Sequence, residues 1–204
     1  NMTRHPVEPC LWLKYRNING EKVLDGMIKA HVDDLEAAGS AEFLGAKGPW
    51  KGIMEFYKVP KEEVEFARNG YKMTGTWVKQ NADFTVTLNQ EAYTDQIEAI
   101  ELTKERRSQG SQMATPAEVK IKMRVEGCLQ WVAMHSQPAL AVGLSESISK
   151  NNSCTVSDLL FTNKILRKAK KNKSQNLVFR SLDIKRLCIV GFHDASWANM
   201  PGLK

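Results

Sequence analysis

A chain of 204 residues holds one large domain or two small ones, and a 42% hydrophobic share excludes global disorder. The net charge of +6, from 29 basic and 23 acidic residues, is local: six bases crowd between Lys164 and Lys173, and without them 23 bases face 23 acids. No run nears the roughly 20 apolar residues of a membrane span, and no signal-peptide core opens the chain. Cys10, Cys128, Cys154 and Cys188 lie far apart without zinc spacing, so they are expected to be reduced thiols in an intracellular protein.

In chain order, Cys10 to Ile18 reads as a strand that begins after Pro9, and Asn17-Ile18-Asn19-Gly20 is turn chemistry. The strand Val23 to Val32 returns from it and ends on two adjacent carboxylates, Asp33 and Asp34. A short run, Leu35 to Ala38, follows and stops at Gly39. Strand, acidic turn, strand is a hairpin. Two carboxylates held that close repel each other, and a hard cation such as Mg²⁺ relieves the repulsion through oxygen ligands. Plain solvated turns also favour Asp, so the pair alone leaves both readings open.

Ser40 is placed to cap a helix carrying Phe43 and Leu44, and Gly48-Pro49 breaks the following segment into two short pieces. Lys61 to Glu65 reads as a charged loop. Phe66 to Gln80 reads as extended with turns at Asn69-Gly70 and Gly75, and Phe84 to Leu88 as a half-buried strand. The spacing of Tyr93, Ile97 and Ile100 predicts a helix over 90–102, and the polar stretch from Lys104 to Met113 predicts a boundary.

Thr115-Pro116-Ala117-Glu118 is a helix start with a Thr cap, Pro at the first position and Glu three residues after the cap. Val125, Cys128, Leu129, Val132 and Ala133 would be its buried stripe. A second helix is expected after Pro138 through Ile148. Thr155 to Asp158 opens a third, which buries Val156, Leu159, Leu160, Ile165, Leu166 and Ala169. The basic residues Lys164, Arg167, Lys168, Lys170, Lys171 and Lys173 occupy its end. They offer a phosphate-binding stripe or, more plainly, a solvated face that complements the helix dipole. Leu177 to Leu182 and Leu187 to Phe192 read as strands, and the second runs into His193-Asp194-Ala195-Ser196-Trp197-Ala198-Asn199.

Taken in order, these blocks resemble the reverse transcriptase of copia-type LTR retrotransposons. Glu8-Pro9-Cys10-Leu11-Trp12 is similar to the family's Asp-Pro-Cys-Leu-aromatic block, and Gly26 to Gly39 to its Val-Asp-Asp hairpin with trailing Ala-Gly. Gln90-Glu91-Ala92-Tyr93 resembles its Gln-x-x-Tyr element. Gly127 to Ala133 resembles its Gly-x-Leu-x-Trp-Leu-Ala helix, and Asp158 to Lys168 its Asn-Lys-x-Leu-Arg segment. Asp194 to Asn199 resembles the opening of ribonuclease H. The sequence departs from the pattern at Leu35-Glu36-Ala37-Ala38, where a charge enters a usually apolar strand. It departs again at Gln137-Pro138-Ala139-Leu140, where two charges are lost.

The resemblance implies an α+β chain in three parts. These are a polymerase palm part with an antiparallel acidic hairpin (1–103), a helical thumb or connection (104–173), and the first strands of a ribonuclease H-like domain (174–204). It implies RNA-directed DNA polymerase activity by two-metal nucleotidyl transfer. Asp33 and Asp34 would hold Mg²⁺, with Mn²⁺ as the substitute ion, and Asp194 would be the first metal ligand of ribonuclease H. The implied partners are an RNA template, a DNA primer, the RNA–DNA hybrid, dNTPs and the rest of a polyprotein, with no membrane and a cytoplasmic, particle-associated setting with nuclear access. His31 would line the hairpin, and the six basic residues from Lys164 would meet phosphates without reading bases. The family's third palm carboxylate would precede Asn1, so the chain is expected to be a fragment with little activity alone. The alternative is a non-catalytic nucleic-acid-binding remnant. A serine hydrolase is disfavoured, since Gly143-Leu144-Ser145-Glu146-Ser147 lacks the second glycine of a nucleophile elbow.

Overall fold

The computed structural model describes residues 2–182 and 188. It is a mixed α+β chain with two antiparallel sheets and divides into two compact units, Asn1–Val64 and Glu65–Lys204. Among the described residues, no helix is long and apolar enough to cross a membrane.

In the first unit, β1 (Thr3–Arg4), β2 (Leu11–Ile18), β3 (Glu21–His31) and β4 (Asp34–Gly39) form a sheet in sequence order. Asn19 and Gly20 join β2 to β3 with φ of 52° and 86°. Both are left-handed, as the tight turn that matches strand twist requires. The register slips once, between Lys14 and Tyr15, where Asp25 is the extra residue on β3. The β3–β4 ladder runs without a shift from Gly26 opposite Gly39 to its last pair, His31 opposite Asp34. Two short helices follow, α1 (Ala41–Leu44) and α2 (Pro49–Phe56), and Gly48-Pro49 separates them as expected.

The second unit begins with β5 (Tyr71–Met73), β6 (Thr76–Gln80) and β7 (Val86–Asn89), then α3 (Glu91–Gln96) and α4 (Lys104–Arg107). Three longer helices follow, α5 (Pro116–His135), α6 (Ala141–Ser149) and α7 (Val156–Lys171), and β8 (Leu177–Phe179) pairs back onto β7. The capping box of α5 forms as the sequence predicts: Thr115 Oγ1 accepts from the Glu118 N–H at 3.3 Å, and the Thr115 N–H donates to Glu118 at 2.7 Å. At the head of α7 the Thr155 N–H and hydroxyl both donate to Asp158, at 2.8 and 2.7 Å. Val125, Leu129, Val132 and Ala133 of α5 pack with Leu140, Leu144, Leu159, Ile165, Leu166 and Ala169 in one core.

One expectation is revised, and another falls outside the described residues. The helix predicted over 90–102 stops at Gln96, because Asn163 of α7 captures the Ile100 backbone. Its amide group donates to the Ile100 carbonyl at 2.8 Å, and its carbonyl accepts the Ile100 N–H at 2.9 Å. Ile97 and Ile100 still reach the core, from a non-helical run. The compact units divide at Val64 and Glu65; in the second, Ile97 and Ile100 join the core of α5 and α7, and β8 completes the β5–β7 sheet. Leu187 to Phe192 and Asp194 lie outside the described residues, apart from Cys188.

Candidate metal and nucleic-acid sites

The β3–β4 hairpin closes with a two-residue loop, Val32 and Asp33, and Asp34 is the first residue of β4. The acidic pair therefore straddles the junction of loop and strand rather than filling the loop. Val32 has φ of 56° and is 94% exposed. In the hairpin turns with a positive φ at the first loop position that place is ordinarily taken by glycine, and a β-branched residue there is strained. Asp33 and Asp34 are exposed, and neither carboxylate has a side-chain hydrogen bond or ion pair to a described residue. Among the described residues, no group of three His, Cys, Asp or Glu side chains could jointly hold a metal.

The support behind the turn is specific. Gly26 and Gly39 are cross-strand partners, and the buried ring of Phe43 lies over both. A Cβ on Gly26 would collide with that ring, and one on Gly39 would lie 2.6 Å from it. Ser40 ties the same corner together. Its hydroxyl donates to Asp25 Oδ1 at 2.7 Å and accepts the Phe43 N–H at 3.1 Å, which starts α1. Asp25, the bulge residue, also meets Arg16 Nε at 3.3 Å, and Arg16 reaches Glu42 at 3.4 Å. The backbone N–H at the head of α1, then Ser40 and Arg16, hold the Glu42 carboxyl below its usual range. Sequence reading did not single out Asp25, Arg16 or Ser40 as one cluster, because the bulge that gathers them leaves no signature in the chain.

The six basic residues of α7 separate into two sets. Lys164, Arg167, Lys168 and Lys171 are exposed and spaced three or four apart, so they share one side of the helix. Lys168 Nζ also lies 3.5 Å from the Ala139 carbonyl. Lys170 and Lys173 instead lean onto α3: Lys170 Nζ donates to the Asp95 carbonyl at 3.1 Å, and Lys173 pairs with Asp95 at 2.5 Å and Glu91 at 3.3 Å. The hydrogen bonds that Lys173 donates to Asp95 and Glu91 raise its pKa, and its charge is locally answered. Tyr93, in the Gln-x-x-Tyr element, is half-buried against the core, and burial with the neighbouring Cys128 thiol pushes its hydroxyl up to about 12.

Two polar arrangements in the second unit escaped the sequence. Arg106 clamps Glu118 at 2.9 and 2.8 Å and pulls its carboxyl down to about 2, with help from the Thr115 backbone. Lys122 and Glu126 are buried together: Lys122 Nζ donates to Glu126 at 2.5 Å, to the Ser147 carbonyl at 2.8 Å and to Asn151 at 2.5 Å. Ser147 and Asn151 donate in turn to Glu126 at 2.6 and 2.8 Å. A Lys and a Glu four apart read as a solvated pair. The signal available was their place seven residues, or two turns, ahead of Leu129 and Ala133, on the apolar stripe.

Compared with known proteins, the chain matches no family model, no curated protein and no solved structure.

Proposed function

We propose that this chain is a segment of a retrotransposon RNA-directed DNA polymerase, with the first unit contributing the acidic palm hairpin and α5 to α7 serving as thumb and connection. The observation that carries this reading is the pair Asp33 and Asp34, unpartnered among described residues, at the tip of an antiparallel hairpin anchored by Gly26, Gly39 and Phe43. Adjacent oxygen donors with no competing ligand suit Mg²⁺, which is commonly held by one or two carboxylates plus substrate phosphates. Bound there, the ion would supply charge neutralisation for phosphoryl transfer. The chain's own part is to present both carboxylates on a mount fixed by the β3–β4 ladder. The four exposed cations of α7 would grip a primer–template through phosphates without reading sequence.

The direct test is Mn²⁺ titration followed by paramagnetic broadening of backbone amides. Broadening centred on His31 to Leu35 and abolished by Asp33→Asn is expected. Equal, diffuse broadening over every acidic surface would reject the site. In primer extension on an RNA template, little incorporation is expected, since no third carboxylate stands with the pair among the described residues.

The second reading is a non-catalytic nucleic-acid-binding remnant, which the exposed cations of α7 support without the acidic pair. Both readings predict oligonucleotide binding with a log–log salt slope of about −3 if all four cations of the α7 stripe contact phosphates. They part at Asp33→Asn, which removes localised metal binding under the first and changes nothing under the second.

A further inference from the structure

A groove of about 750 Å³ lies between α7 and the non-helical run that follows α3. It is lined on the apolar side by Ile100, Leu102, Leu160 and Leu166. Ile100 and Leu166 are buried at its base. Three cations border it, Arg107 from α4 and Arg167 and Lys170 from α7, against one carboxylate, Glu101. The guanidinium groups of Arg107 and Arg167 are exposed and have no partner among the described residues, and the Lys170 ammonium meets only a backbone carbonyl.

The wall of the groove is itself unusual. Asn163 satisfies the Ile100 backbone in both directions. The N–H and C=O groups of Ala99, Glu101 and Leu102 meet no described partner. A chain with free backbone donors and acceptors beside apolar pockets is what strand addition uses: main-chain hydrogen bonds give affinity and alternate side chains fill the pockets. The cations select the charge of what is added. A phosphodiester backbone would satisfy the three cations but leave the apolar base unused, whereas an extended peptide with alternating apolar and acidic side chains satisfies both.

We propose that this groove docks an extended acidic peptide segment of a partner protein, with apolar side chains over Ile100, Leu102, Leu160 and Leu166 and carboxylates at Arg107, Arg167 and Lys170. The proposal uses neither the acidic hairpin nor metal chemistry, and it shares only Arg167 with the four α7 cations of the polymerase reading; Arg107 and Lys170 belong to this groove alone.

The test is fluorescence anisotropy on the full chain with three labelled probes: an octapeptide alternating Glu and Leu, its Lys–Leu counterpart, and a 16-nucleotide single-stranded DNA. The Glu–Leu peptide is expected to bind at least about tenfold tighter than the Lys–Leu peptide. It should weaken by at least about tenfold in the double variant Arg107→Glu, Arg167→Glu. The charge-matched control Lys51→Glu, Lys120→Glu should leave it unchanged. Methylating alternate peptide nitrogens should also weaken binding, which a purely electrostatic surface would not produce. Equal affinity for both peptides, indifference to the arginine reversals, or displacement of the peptide by the DNA with the same arginine dependence would each overturn the proposal. Both arginines are exposed, and an unchanged thermal melt confirms that the variant folds.

Discussion

The two units hold their candidate sites by different means. In the second, 13 buried residues form one core beneath the basic helix. In the first, two apolar side chains are buried among the described residues, Ile28 and Phe43, and no residue of α2 is fully buried. The acidic turn is thus placed by backbone register, a bulge and a glycine pair under one aromatic ring, whereas the cations of α7 ride on close packing. A site of the first kind depends on a few contacts, each of which a single substitution can remove. A site of the second kind tolerates change at the surface and fails when its interior is disturbed.

The sharpest way to break the second unit is Lys122→Met. It strands Glu126 as a buried charge without its partner, and such losses cost about 3–5 kcal/mol. A thermal melt should show a large loss of helical signal stability, while Asp33-dependent metal binding persists. Survival of the melt would mean that water reaches Glu126. The counterpart in the first unit is Phe43→Ala, expected to cost about 3 kcal/mol from lost burial and the space left over Gly26 and Gly39. Hydrogen exchange should accelerate across the β3–β4 ladder and leave the amides of α5 protected. Uniform acceleration in both units would contradict the division of the chain.

A smaller effect separates the units by pH. The Glu118 carboxyl, ordinarily near 4.5, sits at about 2 in the folded chain because Arg106 and the Thr115 backbone bind its charged form. A lowered carboxyl pKa stabilises above the unfolded value and is lost as pH falls from about 4.5 through about 2. The pair is 19% and 18% exposed. Allowing for water around it, about 2 kcal/mol of second-unit stability is at stake. Glu118→Gln should flatten the melting temperature between pH 5 and pH 2. An unaltered acid transition would assign it to other carboxylates.

Much of this was legible where the cause is local. Asn19-Gly20 announced its turn, Thr115 with Glu118 and Thr155 with Asp158 announced their helices, and the α5 stripe was read from its periodicity. What escaped is non-local or conformational. Ile97 and Ile100 have helical spacing, yet Asn163, far along the chain, takes the Ile100 backbone out of any helix. The burial of Lys122 depends on Ser147 and Asn151, which arrive from other elements. The site's acidic residues were found by their adjacency, but the loop fell one residue earlier than expected, on Val32, where nothing in a valine suggests a left-handed backbone.

That valine gives the smallest effect, and the one most informative about the acidic turn. At φ of 56° a β-branched side chain crowds its own backbone, a cost on the order of 1 kcal/mol that glycine does not bear. Glycine also loses more freedom on folding, which returns part of the gain. Val32→Gly should therefore stabilise the hairpin by roughly 0.5 kcal/mol, seen as slower exchange at Ala30 and Leu35. Because the side chain is exposed, no packing is lost to obscure the result. If exchange speeds up instead, the turn is held by the stiffness of Val32 rather than against it. The placement of Asp33 and Asp34 would then depend on that stiffness, and their Mn²⁺ affinity should fall in the same variant.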